Sequence, residues 1–280
     1  MTTALLKNDE LAIWRRYIHE TCGVYLDESK GYLVETRLAG LVRETGSLGY
    51  TELLNKVKCD AGNTLRTKVI NSITTNETSF FRDASPFDLL QHKLFPELID
   101  RRNKAGLHPV PIRILSAACS TGQEVYSTAI VLKELLGDFH GYDIRILGID
   151  ISDRAVAQAS YAHYTRMELD RGMDPATLAR HFQPEGDRWK VRDELRATAT
   201  FRRGNLLEPL VNVTPFDIIF CRNVAIYFTE TDKIRLFRNL GNSMARDCAL
   251  IIGSTESITG LCPEFEPKRY LRTVFYQKKT

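Results

Sequence analysis

Ile112-Arg113-Ile114-Leu115-Ser116-Ala117-Ala118-Cys119-Ser120-Thr121-Gly122-Gln123-Glu124 is the stretch on which the fold turns. Its opening residues form an apolar run with β-branched members and read as a buried strand. Small residues follow from Ser116 to Gly122, and a helical pattern runs from Gln123 to Leu136. Strand, small-residue loop and helix in that order make the ligand end of an α/β sheet, because small side chains let a ligand approach the backbone. The next apolar run, Ile144-Arg145-Ile146-Leu147-Gly148-Ile149, ends in Asp150. In doubly wound sheets an acid at that place accepts hydrogen bonds from ribose hydroxyls. Gly122 is the only glycine of the first loop, which is therefore not GxGxxG and argues against an ordinary dinucleotide site.

Strand and helix patterns keep alternating beyond Ile112, which predicts a parallel sheet. Phe216-Asp217-Ile218-Ile219-Phe220 reads as a strand leading into Cys221-Arg222-Asn223-Val224. Thr231 to Met244 reads as helix, and Ala249–Ile252 and Thr273–Gln277 as strands. Residues 165–200 interrupt the alternation. There Asp174-Pro175 opens a short helix, and Arg188–Arg192 with Thr198–Arg203 reads as a small hairpin, so the segment is an insertion. Upstream, Ser85-Pro86 opens a helix whose pattern breaks at Pro96. Residues 9–74 read as helices only. Leu11, Trp14, Ile18 and Cys22 recur at helical spacing before Gly23, and a second helix runs from about Asp27 to Thr45. The opposite side of that second helix offers Lys30, Arg37 and Arg43, either as a solvated face or as a surface for an acidic helix. Shorter helices follow at about 51–58 and 64–73.

The composition narrows the function classes. At 280 residues with 43% hydrophobic content the chain can bury a large core as one domain or two. Its apolar runs are only a few residues long, far short of a membrane span. Charges at Lys7, Asp9, Glu10, Arg15 and Arg16 exclude a signal peptide at the N-terminus. The six cysteines form no CxxC pair and no Cys/His cluster with zinc spacing, so reduced thiols, a cytoplasmic location and no metal are expected. A net charge of +3, from 38 basic and 35 acidic residues, is too balanced to demand nucleic acid. The six histidines fall outside the ligand loops and no GxSxG elbow is present, so acyl transfer has weak support.

Three loops converge by topology: 116–124, 150–152 and 221–224. Each follows a buried strand, and ligands bind outside the carboxyl ends of such strands. Glu124 reads either as a first-turn acid favoured by the helix dipole or as an acid facing a cationic part of a ligand. Asn205-Leu206 and Asn223 suit turns, and equally the edge of a base or an amino-acid moiety. Thr74-Thr75-Asn76-Glu77-Thr78-Ser79-Phe80-Phe81-Arg82-Asp83 suits a linker with a hydrophobic staple, and equally a strap over a charged ligand.

Taken together, 75–82 (TNETSFFR), 116–124 (SAACSTGQE), 205–208 (NLLE) and 220–228 (FCRNVAIYF) resemble the CheR family of chemoreceptor glutamate methyltransferases, which use S-adenosylmethionine. The four blocks stand in family order and the resemblance spans nearly the whole chain. It implies an all-α N-terminal domain at 1–74, followed by a Rossmann-like α/β methyltransferase domain at 75–280 with a β subdomain inserted at about 165–200. By family pattern the cofactor contacts are Asn76, Thr78, Arg82, Glu124, Asp150, Asn205, Leu206, Asn223 and Val224, with Arg82 near the transfer centre. Tyr227 is a second candidate for the acceptor. Gln123 stands where relatives often have another Glu, and Cys119 where Ala is common. The implied acceptors are glutamates on cytoplasmic receptor helices, docked on the basic helix 27–45 through Arg37 and Arg43, and S-adenosylhomocysteine is the product. In some relatives the β insertion grips a receptor tail peptide. Here the turn at 183–188 is short and lacks a glycine cluster, so no tether is expected. Rival readings are a nucleic-acid base methyltransferase, a nicotinamide-dependent oxidoreductase, and a signalling protein that binds the cofactor without turnover. The first would carry a Pro-Pro-aromatic loop where this chain has Arg222-Asn223-Val224-Ala225, and the second a GxGxxG loop.

Overall fold

The computed structural model describes residues 6–279, so the outer ends of both expected domains, residues 1–5 and 280, lie outside it. Helices α1 (Asn8–Cys22), α2 (Gly31–Glu44), α3 (Tyr50–Cys59) and α4 (Thr64–Ile73) bury Trp14, Ile18, Val34, Leu38, Tyr50 and Leu53 in a core of their own. The Trp14 indole N–H donates to the Tyr50 carbonyl at 3.1 Å, which leaves the buried ring no orphan donor. Gly23 ends α1 at φ +76°, and a Cβ there would meet Leu207 at 2.4 Å, so this turn presses against the second domain. The second helix starts later than expected. Asp27 accepts the Ser29 N–H and caps a separate 3-10 turn, Glu28–Lys30, ahead of α2.

The pattern break at Pro96 does not break the rod. Helix α5 (Ser85–Leu89) continues through a π-helical turn, Leu90–Leu94, into α6 (Phe95–Lys104). The Phe95 N–H reaches back to the Leu90 carbonyl, five residues earlier, and Pro96 then falls in the first turn of α6, where its missing donor does little harm.

The remaining elements in chain order are β1 (Val110–Ala117), α7 (Gln123–Leu136), β2 (Tyr142–Asp150), α8 (Asp153–Tyr161), β3 (His163–Tyr164), α9 (Arg166–Asp170) and α10 (Pro175–His181). There follow β4 (Phe182–Glu185), β5 (Arg188–Val191), α11 (Asp193–Arg196), β6 (Ala199–Arg203), β7 (Phe216–Cys221), α12 (Glu230–Asn242), β8 (Met244–Ile252), β9 (Phe265–Tyr270) and β10 (Thr273–Lys278). The main sheet has the order β6-β2-β1-β7-β8-β10-β9. Its strands from β6 to β8 are parallel, and β10 and β9 join antiparallel. The sheet is buried on both sides: Ile112 and Ile114 of β1 enter one core, Leu115 and Ala117 the other. Chain order reverses between β1 and β7, which opens a crevice at their carboxyl ends.

The expected hairpin of Arg188–Arg192 with Thr198–Arg203 does not form. Strand β5 pairs with β4 and β3 in a separate antiparallel sheet ordered β3-β5-β4, while β6 lies parallel to β2 at the edge of the main sheet. Packing explains the choice. A Cβ on Gly148 of β2 would sit 2.6 Å from the Phe201 ring, so this glycine makes the room that lets Phe201 pack against the sheet.

Candidate active site

The crevice is a cleft of about 450 Å³, within the range that holds small-molecule cofactors. Asn76, Thr78, Arg82, Glu124, Asp150, Asn205, Leu206, Asn223, Val224 and Tyr227 all line it. They come from segments that only the sheet topology brings together: the strap 74–83, the loops after β1, β2, β6 and β7, and the 3-10 turn Ala225–Tyr227. Lys30, Arg37 and Tyr25 of the helical domain complete the wall.

Strained backbone concentrates here. Phe81, Asp83, Ala118, Ser120 and Asn223 all have φ between +49° and +62°, a region that non-glycine residues enter at a cost of about 1–3 kcal/mol. Carboxylates hold the backbone of two of these residues. The Ser120 N–H donates to Asp150 Oδ2 at 2.8 Å, and the Asn223 N–H donates to Glu256 Oε2, also at 2.8 Å. Gly122, at φ +95°, closes the first loop, and a Cβ there would lie 2.9 Å from that of Ala159.

Asp150 is buried. Burial pushes its carboxyl pKa up, against the opposing pull of amides from Ser152, Ser120 and Ile151. Its Oδ1 takes the Ser152 N–H at 2.9 Å, so both oxygens are oriented by backbone before any ligand arrives. Asn205 Oδ1 accepts the Leu207 N–H and builds a turn, which leaves its amide group for a ligand. Glu124 accepts from Ser116 Oγ at 2.7 Å and from Arg222 Nη1 at 3.0 Å.

The strap is tied down along its length. Ser120 Oγ donates to the Asn76 carbonyl at 2.9 Å and the Phe81 N–H to Ser127 Oγ at 3.0 Å. Arg37 of α2 donates to the Ile73 carbonyl and to Thr75 Oγ1. Phe80 is fully buried, edge-on to Tyr164 and Phe182, so β3 and β4 brace the strap from behind. Toward helix α5 the strap contributes Phe81, whose ring packs edge-on against Phe87 with centroids 5.3 Å apart.

Three residues carry weight here that sequence reasoning did not assign: Arg222, Asp83 and Glu256. Arg222 is buried beneath the cleft with its guanidinium on Glu124, Asp83 and the Arg82 carbonyl. An arginine directly ahead of Asn223 at a strand end was the available signal, and its partners lie about 100 or more residues away in sequence. Cys119 and Cys221 are buried with thiol pKa values pushed well up by desolvation, so neither is an activated nucleophile. No group of metal-binding side chains exists among the described residues. Nor, among those residues, is any helix long and apolar enough to cross a membrane.

A cleft at the switch point, with Glu124 and Asp150 at its strand-end loops and a strap for a roof, is the arrangement of an S-adenosylmethionine-dependent methyltransferase. The donor set suits that molecule. It offers a preoriented acid for ribose hydroxyls, an anionic group for a cationic amino-acid moiety, and amide groups for a base edge. Family models agree with this class. Residues 9–74 match the CheR methyltransferase all-alpha domain, and residues 76–271 match the CheR methyltransferase SAM-binding domain. The chain is 34% identical to a chemotaxis protein methyltransferase of Vibrio anguillarum, and 35% identical to chemotaxis protein methyltransferase 1 of Vibrio cholerae, each over the full length of both chains. It is 33% identical to chemotaxis protein methyltransferase Cher2 of Pseudomonas putida, over 95% of this chain and 96% of that one. The chain belongs to the CheR methyltransferase family, and its cofactor is S-adenosylmethionine.

Proposed function

We propose that the protein transfers methyl groups from S-adenosylmethionine to glutamate side chains on chemoreceptor helices, forming glutamyl methyl esters during chemotactic adaptation. The observation that carries this reading is the single cleft that gathers the strap and four strand-end loops around Glu124 and Asp150. In it Asp150, Asn205 and Leu206 hold the nucleoside, Glu124 faces the cationic amino-acid part, and Asn76, Thr78, Asn223 and Val224 complete the contacts. When bound, the cofactor supplies an electrophilic methyl group on a sulfonium. Arg82 and Tyr227 orient the acceptor carboxylate toward it. That acceptor has an ordinary pKa of about 4.3 and is already ionised at neutral pH, so no general base is needed. Buried thiols and a cleft without histidine among its described lining fit this economy. The chain's part in catalysis is alignment and exclusion of water, the role of the strap.

We infer that acceptor helices approach along α2, where Arg43 is exposed and Lys30 and Arg37 border the cleft. Arg37 also holds the strap, so its two roles meet at one guanidinium. No tethering tail peptide is required on this reading. Pro184 lies in β4, an edge strand of the small sheet, and cannot donate to an added strand. Tight calorimetric binding of a receptor tail peptide would overturn that part. The cytoplasm is the expected location, where receptor helices lie and reduced thiols persist.

The deciding experiment is transfer of labelled methyl from S-adenosylmethionine to a purified receptor cytoplasmic fragment, followed by mild base. Release of volatile methanol identifies a carboxyl ester. Label that survives base, or its absence across a panel of receptors despite cofactor binding, refutes the reaction proposed.

A further inference from the structure

Arg222, the residue directly after β7, lies beneath the cleft at 7% exposure, and its guanidinium bridges Glu124 of α7 to the strap at Arg82 and Asp83. One arm, Nη1, donates to Glu124 Oε2 at 3.0 Å. The other, Nη2, donates to the Arg82 carbonyl at 2.6 Å and to Asp83 Oδ2 at 3.0 Å. The plane lies over the Phe87 ring at 5.9 Å. Asp83, at φ +56°, and Phe81, at φ +49°, flank Arg82 in left-handed backbone, so the strap turns sharply where Arg222 grips it.

We infer that Arg222 is a positioning residue that couples the cofactor acid to the strap. It orients Glu124 through one arm and, through the other, fixes the backbone from which the Arg82 side chain projects. The inference rests on the methyltransferase reading above. Arginine suits this task because its planar fork serves two partners in different directions at once, whereas a lysine ammonium is a point charge on a flexible stem. Asp83 is exposed and Glu124 only partly buried, so each partner alone has water as a substitute. The buried guanidinium holds them in register, and both Glu124 and Asp83 pair with its charge.

The test begins with calorimetric binding of S-adenosylhomocysteine to the wild-type chain, which also counts functional sites. Methyl transfer to a receptor fragment is then measured per functional site for Arg222→Lys, Arg222→Gln, Asp83→Asn and the Arg222→Lys/Asp83→Asn double variant. Arg222→Gln is expected to weaken S-adenosylhomocysteine more than tenfold and to lower kcat more than tenfold. Arg222→Lys is expected to keep affinity within a few-fold, through the charge facing Glu124, and still to lose kcat about tenfold. Asp83→Asn should lower kcat several-fold by itself and add nothing in the double variant. A purely structural role would reduce the number of functional sites and the Tm, with kcat and Kd per site unchanged; that result overturns the inference. So do independent, multiplicative effects of Arg222→Lys and Asp83→Asn. If Arg222→Gln fails to fold, the Arg222→Lys and Asp83→Asn pair decides alone. A wild-type chain that binds no S-adenosylhomocysteine overturns the underlying reading instead, and is seen before any variant is made.

Discussion

Asp150→Ala removes an acceptor that two backbone amides and a ligand are built to share. The Ser120 and Ser152 N–H groups donate to its two oxygens at 2.8 and 2.9 Å, and both bonds are buried. An orphaned buried donor costs about 1–3 kcal/mol, so two bring a loss of about 2–6 kcal/mol. The cleft admits water to this loop, which puts the expected loss at the low end, about 2 kcal/mol. The Ser120 backbone, held at φ +49° by one of these bonds, is then free to relax, and the first loop loses the shape that receives the cofactor. Losing a hydrogen bond to a charged group adds about 1.5–3 kcal/mol to the cofactor's own loss. S-adenosylhomocysteine affinity should therefore fall by at least tenfold, each factor of ten being about 1.4 kcal/mol. Asp150→Asn keeps one acceptor but turns an NH2 toward the other amide, so it should recover part of the stability and little of the affinity. The pH profile separates charge from shape. Burial raises the Asp150 pKa, and on the proposed reading its charged form accepts from the ribose, so wild-type affinity should decline as pH falls through a point above the ordinary aspartate range. The asparagine variant should lack that acid limb. Isothermal titration from pH 4.5 to 8, with Tm measured alongside, checks both statements. Undiminished binding by Asp150→Ala would refute the placement of the ribose at this carboxylate.

Arg82→Ala should lower kcat about a hundredfold at saturating cofactor and acceptor, the scale expected when an orienting group is lost, and an unchanged kcat would refute that role. Gly172→Ala should loosen the strap from behind, because a Cβ there would lie 1.9 Å from the Phe80 carbonyl oxygen; both Tm and S-adenosylhomocysteine affinity are expected to drop, and a neutral variant would contradict this packing. Glu134 on α7 accepts from His181 and Arg180 of α10, and the His181 bond, with Arg180 assisting, holds its carboxyl below the usual value of 4.5. Its folded pKa lies below the unfolded one, so its stabilisation is present above about pH 4.5 and is lost as pH falls through the folded pKa. Partial exposure keeps the effect under about 1 kcal/mol, and Glu134→Gln should flatten the acid limb of the Tm profile by that amount.

Much of the fold is legible in local pattern. The helix Gln123–Leu136 is bounded in the structure as its periodicity predicts, and the apolar runs at 112, 144 and 216 become parallel neighbours. A strand buried on both sides needs an unbroken apolar run, and such runs leave a plain trace in composition. Pairing is a different matter. Arg188–Val191 and Ala199–Arg203 are both short, polar-rich strand patterns, and their sequence separation suits a hairpin. What separates them is Gly148, some fifty residues earlier, which opens a seat for Phe201 on the main sheet. The π-helical turn before Pro96 was hidden for a similar reason, since proline argues locally for a break while the hydrogen bond from Phe95 to Leu90 absorbs it.

The sequence by itself determined the strand-loop-helix order, the acids at strand ends and the four motif blocks, because each is written in adjacent residues and short periods. Tertiary structure alone decided that Arg222 bridges Glu124 to the strap, that Glu256 holds the Asn223 amide, and that Phe80 and Gly172 meet behind the site. Those contacts join residues up to about 140 positions apart, and what selects them is the room, charge and hydrogen-bond direction left when the sheet has closed.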